Sequence, residues 1–370
     1  MSLFPRKNLC SSNLVVIKIG TSSLTGTSGK IDPEKFRKLA EEIFFLVSKK
    51  KKQVILVSSG AIAAGSEKLG RLNSLKTIPE KQAAAAVGQN LLMTQYEKAF
   101  GAFGTPVGQV LLTRDAIEDR ERYLNSRNTI FQLLKFGAVP IINENDTMAT
   151  EEIRVGDNDN LGALVASLTG ADLLILLSDV EGFYKNGKLL PYIDEISKEL
   201  LDEAKGSSSV VGTGGMETKL QAAKIVLNAG IPMVIASHKK DGIITAILEG
   251  IEVGTLFAPK LSKMESKKRW LAHGKKPAGH VVIDDGAKKA LLEGGKSLLA
   301  VGIKEVKGRF GAGQVIGIFD SSRVELGRGL TNYTSEELSK IKGLKTAQIN
   351  VILKESAGEE VVHRDNMVIL

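Results

Sequence analysis

Four runs of Val, Ile and Leu limit what this chain can fold into: "LVVIKIG" (14 to 20), "QVILVSSG" (53 to 60), "VPIINEND" (139 to 146) and "DLLILLSD" (172 to 179). A half-exposed strand alternates apolar and polar residues. These runs do not, so they read as strands covered on both faces. Helical patterns such as "DPEKFRKLAEEIFFLVSKK" stand between them and supply the crossovers that parallel strands need. "IPMVIAS" (231 to 237), after the helical "METKLQAAKIVLNAG", is a fifth candidate strand. The expected fold is α/β, a mostly parallel sheet sandwiched between helices over residues 1–258.

Past Phe257 the texture changes. "APKLSKMESKKRWLAHGKKPAG" is basic and carries proline and glycine, which predicts a linker over 259–277. Glycine-punctuated alternation follows, in "SLLAVGIKEVKGRFGAGQVIGIFD" for example, and predicts a small, mainly β, barrel-like domain over 278–370.

Each strand in the first part ends in a polar or glycine-rich turn: "KIGTSSLTG", "SSGAIAAG", "NEND", "SDVEG". Ligands of open parallel sheets bind beyond the carboxyl ends of the strands, so these turns are expected to share one crevice. A formal net charge of +8 favours anionic partners there. The single cysteine, Cys10, excludes an intrachain disulfide and a Cys-based zinc site, and fits a reducing, cytoplasmic setting. The N-terminus lacks a signal-peptide pattern, and no run reaches the roughly 18 apolar residues of a membrane span. A soluble chain with no membrane partner is expected.

Familiar nucleotide motifs fail on spacing. "GGKS" imitates the end of a Walker A loop, but the required first glycine falls on Ala290; "GAGQVIG" has the wrong spacing for a dinucleotide fingerprint. "DNDN" is not an EF-hand, because Leu161 takes the fifth position. What remains is more specific. Lys18 sits inside an apolar strand, where an ammonium is costly unless it meets an anion, although a lysine at a strand end also snorkels. "GTGGMETK" (212 to 219) is a glycine-rich loop opening a helix with Lys219 in its first turn, and helix starts attract anions. Ser59 stands at a strand end beside Gly60, while "NEND" and "VGDNDN" bring further donors and acceptors to the same crevice. "TRDAIEDRERYLN" (113 to 125) reads as a solvated helix face laced with ion pairs.

Together, "VIKIGTSSLT", "VSSGAIAAG", "LLTRDAIEDRERYLN", "PIINENDTMATEEIRVGDNDNLGALVA", "LLSDVEGFY", "GTGGMETKLQAA" and "EGIEVGTLF" closely resemble, in order, the amino-acid kinase family, and within it the members that phosphorylate glutamate. "DDGAKKALLEGGKSLLAVGIKEVKGRFGAGQVI" resembles the PUA domain that many of these carry. The resemblance implies ATP and Mg²⁺ as cofactors and L-glutamate as acceptor, with L-glutamyl 5-phosphate, the committing intermediate of proline synthesis, as product. Lys18 and Lys219 would contact the phosphates in transfer, and Asp159 would organise the two lysines. Ser59, Asp146 and Asn158 would bind glutamate; Ser178, Asp179 and the loop Thr213, Gly214, Gly215, Met216, Glu217, Thr218, Lys219 would line the ATP site. Asn143, Glu144, Asn145, Asp157 and Asn160 are read as caps and turn ties. No protein ligand for the metal is identified. Feedback inhibition by proline, a homo-oligomer and coupling to the reductase that consumes the acyl phosphate are also implied. Two alternatives stay open: a sibling kinase for another carboxylate, carbamate or nucleoside monophosphate, and a PUA-based RNA-binding or regulatory protein. Asp284, Asp285, Glu293, Glu305, Asp320 and Glu325 dilute the charge of the C-terminal module and weigh against RNA.

Overall fold

In the computed structural model, residues 4–26, 28–72, 74–113, 120–148, 158–206, 215–273, 276–353 and 359–370 are described. The chain divides into two units, Met1–Lys260 and Leu261–Leu370.

The first unit is built on β1 (Leu14–Ile19), β2 (Gln53–Ser58), β3 (Val107–Leu112), β4 (Val139–Glu144) and β5 (Leu173–Ser178). A short hairpin, β6 (Tyr184–Lys185) with β7 (Lys188–Leu189), turns on Asn186 and Gly187, both at positive φ. β8 (Tyr192–Ile193), β9 (Met233–Ser237) and β10 (Thr255–Phe257) complete the set. The sheet runs β3-β4-β2-β1-β5-β9-β10-β8. Its pairings from β3 to β9 are parallel, and β10 turns antiparallel to β9. β1 and β5 therefore lie at the centre, as their unbroken apolar runs require.

The helices are α1 (Pro33–Ser48), α2 (Ala61–Lys68), α3 (Ile78–Gly101), α4 (Arg120–Lys135), α5 (Asn158–Thr169), α6 (Lys198–Gly206), α7 (Met216–Asn228) and α8 (Ile243–Leu248). Local chemistry starts two of them. Asp32 accepts from the Glu34 N–H with Pro33 following, and Thr77 with Glu80 forms a reciprocal capping box. The period-2 pleat then sorts β1 between two cores. Val15, Ile17 and Ile19 join α1, α3 and α8, while Leu14 and Val16 join α5, α6 and α7.

α2 and α3 meet through glycines. A Cβ on Gly88 would fall 1.8 Å from the Ala61 carbonyl oxygen, and one on Gly65 would fall 1.8 Å from that of Ala84. The helices can approach this closely only because both side chains are absent.

In the second unit, β13 (Ile303–Gly308), β11 (Gly279–Ile283), β14 (Val315–Phe319), β15 (Glu325–Leu330) and β17 (Met367–Ile369) form a five-stranded sheet. β12 (Leu298–Leu299) pairs with β16 (Glu360–Val362). The basic stretch expected as a linker instead holds α9 (Lys263–His273). Ser262 and Glu265 cap it reciprocally, Leu271 is buried, and Arg328 Nη1 donates to the Ala272 carbonyl at 2.9 Å. Lys267 also reaches Asn366. The density of charge hid a helix with capped ends and a buried face. Among the described residues, no helix is long and apolar enough to cross a membrane.

Gly88→Ala should lower stability by about 1–3 kcal/mol through overpacking, read as a fall in the urea midpoint at unchanged m-value. An unchanged midpoint would show that α2 and α3 can separate freely.

Candidate active site

Lys18 follows Leu14 and Val16 on the α5–α7 face of β1 and is 6% exposed. Gly162 on α5 packs against its stem: a Cβ there would come within 3.3 Å of Lys18 Cβ. Asp159 lies in the first turn of α5, fully buried, and Lys219 in the first turn of α7, 5% exposed. Lys18 Nζ is 2.5 Å from Asp159 Oδ1, and Lys219 Nζ is 3.0 Å from Oδ2. One carboxylate thus holds two ammonium groups from distant parts of the chain.

Burial alone would push the Asp159 carboxyl upward. The charges and hydrogen bonds of Lys18 and Lys219 outweigh it and hold the group down, from 3.8 to about 2. Its position in a helix first turn adds favourable dipole. Asp159 is therefore an ionised anchor and not a group poised to take a proton near neutrality. Thr218 Oγ1 donates to the Gly215 carbonyl at 2.8 Å and lies 3.3 Å from Asp159 Oδ2, which places the start of α7 beside the pair.

The preceding residue serves a second network. The two hydrogens of Asn158 Nδ2 are shared among Ser59 Oγ at 2.7 Å, the Ser58 carbonyl at 2.9 Å and, more weakly, Asn143 Oδ1 at 3.3 Å. Asn143 Oδ1 also accepts from the Glu144 N–H at 2.9 Å, and its Nδ2 donates to Gln89 Oε1 at 2.8 Å. Asn143 thus does more than tie its own turn. Beneath lies a fully buried support, Ser58 Oγ and Tyr96 OH at 2.8 Å, with the Tyr96 phenol pushed upward by burial. Gly60, at φ 108°, makes the sharp exit from β2 that keeps Ser59 at the strand end.

A third cluster lies beyond β5. Asp179 follows Ser178, the last residue of that strand. Ser22 Oγ donates to Asp179 Oδ2 at 2.8 Å, and His238 Nε2 lies 2.9 Å from Oδ1. Burial raises the Asp179 carboxyl; hydrogen bonds from His238 and Ser22 overcome this and lower it. As an ionised carboxylate only accepts, Nε2 is the nitrogen that carries hydrogen.

The structure therefore brings Lys18, Asp159 and Lys219 together, and likewise Ser59 with Asn158. Asp146 stands in the turn just after β4, while the described bonds of Asn158 run to Ser58, Ser59 and Asn143. Gly215 caps α7, and Met216, Glu217 and Thr218 form its first turn. Thr213 and Gly214 lie outside the described residues. Ser22, Gln89 and His238 escaped the sequence reading. Their signal was position alone: Ser22 and His238 each follow the end of a central strand. Among the described residues, no three His, Cys, Asp or Glu side chains gather to hold a metal.

Two buried lysines thus share one buried carboxylate near the carboxyl ends of central parallel strands, where open α/β sheets bind their ligands. The profile of the amino acid kinase family matches residues 13–237, and that of the PUA domain matches 279–353. The chain belongs to the amino acid kinase family. It is 47% identical over 363 residues to a glutamate 5-kinase of Caldanaerobacter subterraneus subsp. tengcongensis, covering 96% of this chain and 97% of the relative. It is 47% identical over 372 residues to a glutamate 5-kinase of Moorella thermoacetica, covering 99% and 98%. A glutamate 5-kinase of Pelobacter propionicus is 45% identical over 363 residues.

Asp159→Asn should destabilise the protein by about 3–5 kcal/mol at neutral pH, since it leaves two buried ammonium groups facing an amide. A carboxyl whose pKa is depressed on folding contributes stability above its unfolded pKa and loses it as the pH falls through the folded value. Between pH 3.8 and about 2, the wild-type urea midpoint should consequently fall more steeply than that of Asp159→Asn. Parallel curves would remove the assigned charge.

Proposed function

We propose that this chain transfers the γ-phosphoryl group of ATP to the side-chain carboxylate of L-glutamate, giving ADP and L-glutamyl 5-phosphate at the first step of proline biosynthesis. The observation that carries the reading is the placement of Lys18 and Lys219 on opposite oxygens of buried Asp159. The acceptor carboxylate has an ordinary pKa near 4.3 and is already ionised at neutral pH. No general base is needed. One carboxylate oxygen of glutamate bonds to the γ-phosphorus while the bond to the β-bridging oxygen breaks, and ADP leaves with that electron pair.

The protein's task is alignment and relief of repulsion between two anions. Lys18 and Lys219 supply cationic donors to the phosphoryl path, and Asp159 keeps both in place. Ser59, Asn158 and Asp146 hold the acceptor, with Asn158 oriented by Asn143 and Ser59. Ser178, Asp179 and the start of α7 from Gly215 to Lys219 would line the nucleotide side, and the family resemblance assigns Thr213 and Gly214 to the same loop. Mg²⁺ would arrive with ATP and supply charge neutralisation at the phosphates, while Lys18 and Lys219 provide the protein's own cationic donors there. Proline feedback, a homo-oligomer and coupling to the downstream reductase accompany this reading.

Mg-ATP with L-glutamate and hydroxylamine should yield hydroxamate, whereas L-aspartate, N-acetyl-L-glutamate and carbamate should not. Lys18→Met and Lys219→Met, checked for native circular dichroism, should each lower kcat by about 100-fold or more. Near-normal turnover in either variant would sink its assigned role.

A further inference from the structure

His238 has no part in the mechanism above, yet it is tied to it. It follows the last residue of β9, and its backbone N–H donates to the Ser178 carbonyl at 3.0 Å. Its side chain is only 13% exposed, with Nε2 2.9 Å from Asp179 Oδ1. The other oxygen of Asp179 accepts from Ser22 Oγ at 2.8 Å. Ser22 belongs to the turn that leaves β1, and this turn passes directly beside the phosphate-facing lysine: a Cβ on Gly20 would lie 3.9 Å from both Lys18 Nζ and Ser22 Oγ. A chain of two hydrogen bonds thus joins the ends of β9, β5 and β1 and stops next to Lys18.

Asp179 is half exposed, so each hydrogen bond to it removes rotamer freedom that water would otherwise leave it. Ser22 alone would fix one oxygen. With His238 on the other, the carboxylate plane is set, and the Gly20–Ser23 turn is held against β5.

We propose that His238 is a positioning residue for nucleotide binding: acting through Asp179 and Ser22, it holds the turn beside Lys18 in its phosphate-receiving geometry before the nucleotide arrives. The inference rests on the ATP-dependent reading above and adds a residue to it. His238 touches neither Lys18 nor Lys219 through any described bond, and the acceptor network of Ser59, Asn158 and Asn143 runs through β2 and β4 instead. Its loss should consequently act on the nucleotide and spare glutamate.

Calorimetric titration of the full-length protein with Mg-ADP tests this without turnover. His238→Ala should weaken Mg-ADP about three- to tenfold and raise the KM for ATP in step, while the KM for glutamate moves less than twofold. His238→Gln, whose amide donor can take the place of Nε2, should restore both nucleotide values. Wild-type affinity for Mg-ADP in His238→Ala would overturn the proposal. An equal rise in the glutamate KM would do the same, as would a Gln variant no better than Ala. Wild-type protein that binds Mg-ADP but forms no hydroxamate from L-glutamate would sink the acceptor assignment instead, leaving the Mg-ADP affinities to decide the role of His238.

Discussion

The centre of the first unit depends on one carboxylate shared by two lysines. Taking three charges out of water costs several kcal/mol each, and the helix dipole at Asp159 repays only a small part of it. Lys18 comes from the first strand, Asp159 from the start of α5 and Lys219 from the start of α7, so the contacts exist only when the sheet is assembled in the right order. β1 must lie between β2 and β5 to present Lys18 to the layer that holds α5 and α7. Breaking that arrangement by removing Asp159 would leave two ammonium groups buried without their anion.

Legibility in the sequence followed how local the cause was. The central strands were readable because burial on both faces writes itself as an unbroken apolar run, and Lys18 stood out against that run. Lys219 was readable as part of a glycine-rich helix start. Ser59 and Asn158 were expected in one crevice, but their direct bond was not readable, because side-chain geometry across β2 and α5 is not written in either segment. Asn143 shows the limit from the other side. Read as a turn tie, it does accept its neighbour's N–H, yet it also accepts from Asn158 and donates to Gln89, and those partners come from separate helices.

α9 teaches a different lesson. Its sequence, "SKMESKKRWLAH", carries a capping-box pattern in Ser262 and Glu265, which the structure uses. Weight given to net charge and to the following Gly and Pro obscured it. A helix needs few buried residues to be held once its ends are satisfied. Here buried Leu271 and buried Ser266 face inward, and Lys267 and the Ala272 carbonyl are tied to Asn366 and Arg328.

Asn158 and Asp159 are adjacent on the first turn of α5, and successive residues on a helix point about 100° apart. That angle is wide enough to send one side chain toward β2 and β4 and the other toward β1 and α7. The sheet order β4-β2-β1-β5 is thereby converted into two adjoining networks, one of neutral hydrogen bonds and one of charges. On the proposed reading the first holds the acceptor and the second the transferring phosphoryl group. Their separation is fixed by a single helical step, which no loop movement can stretch. A shift of α5 would displace both networks together, so the alignment of acceptor and donor is a property of that helix rather than of either set of contacts.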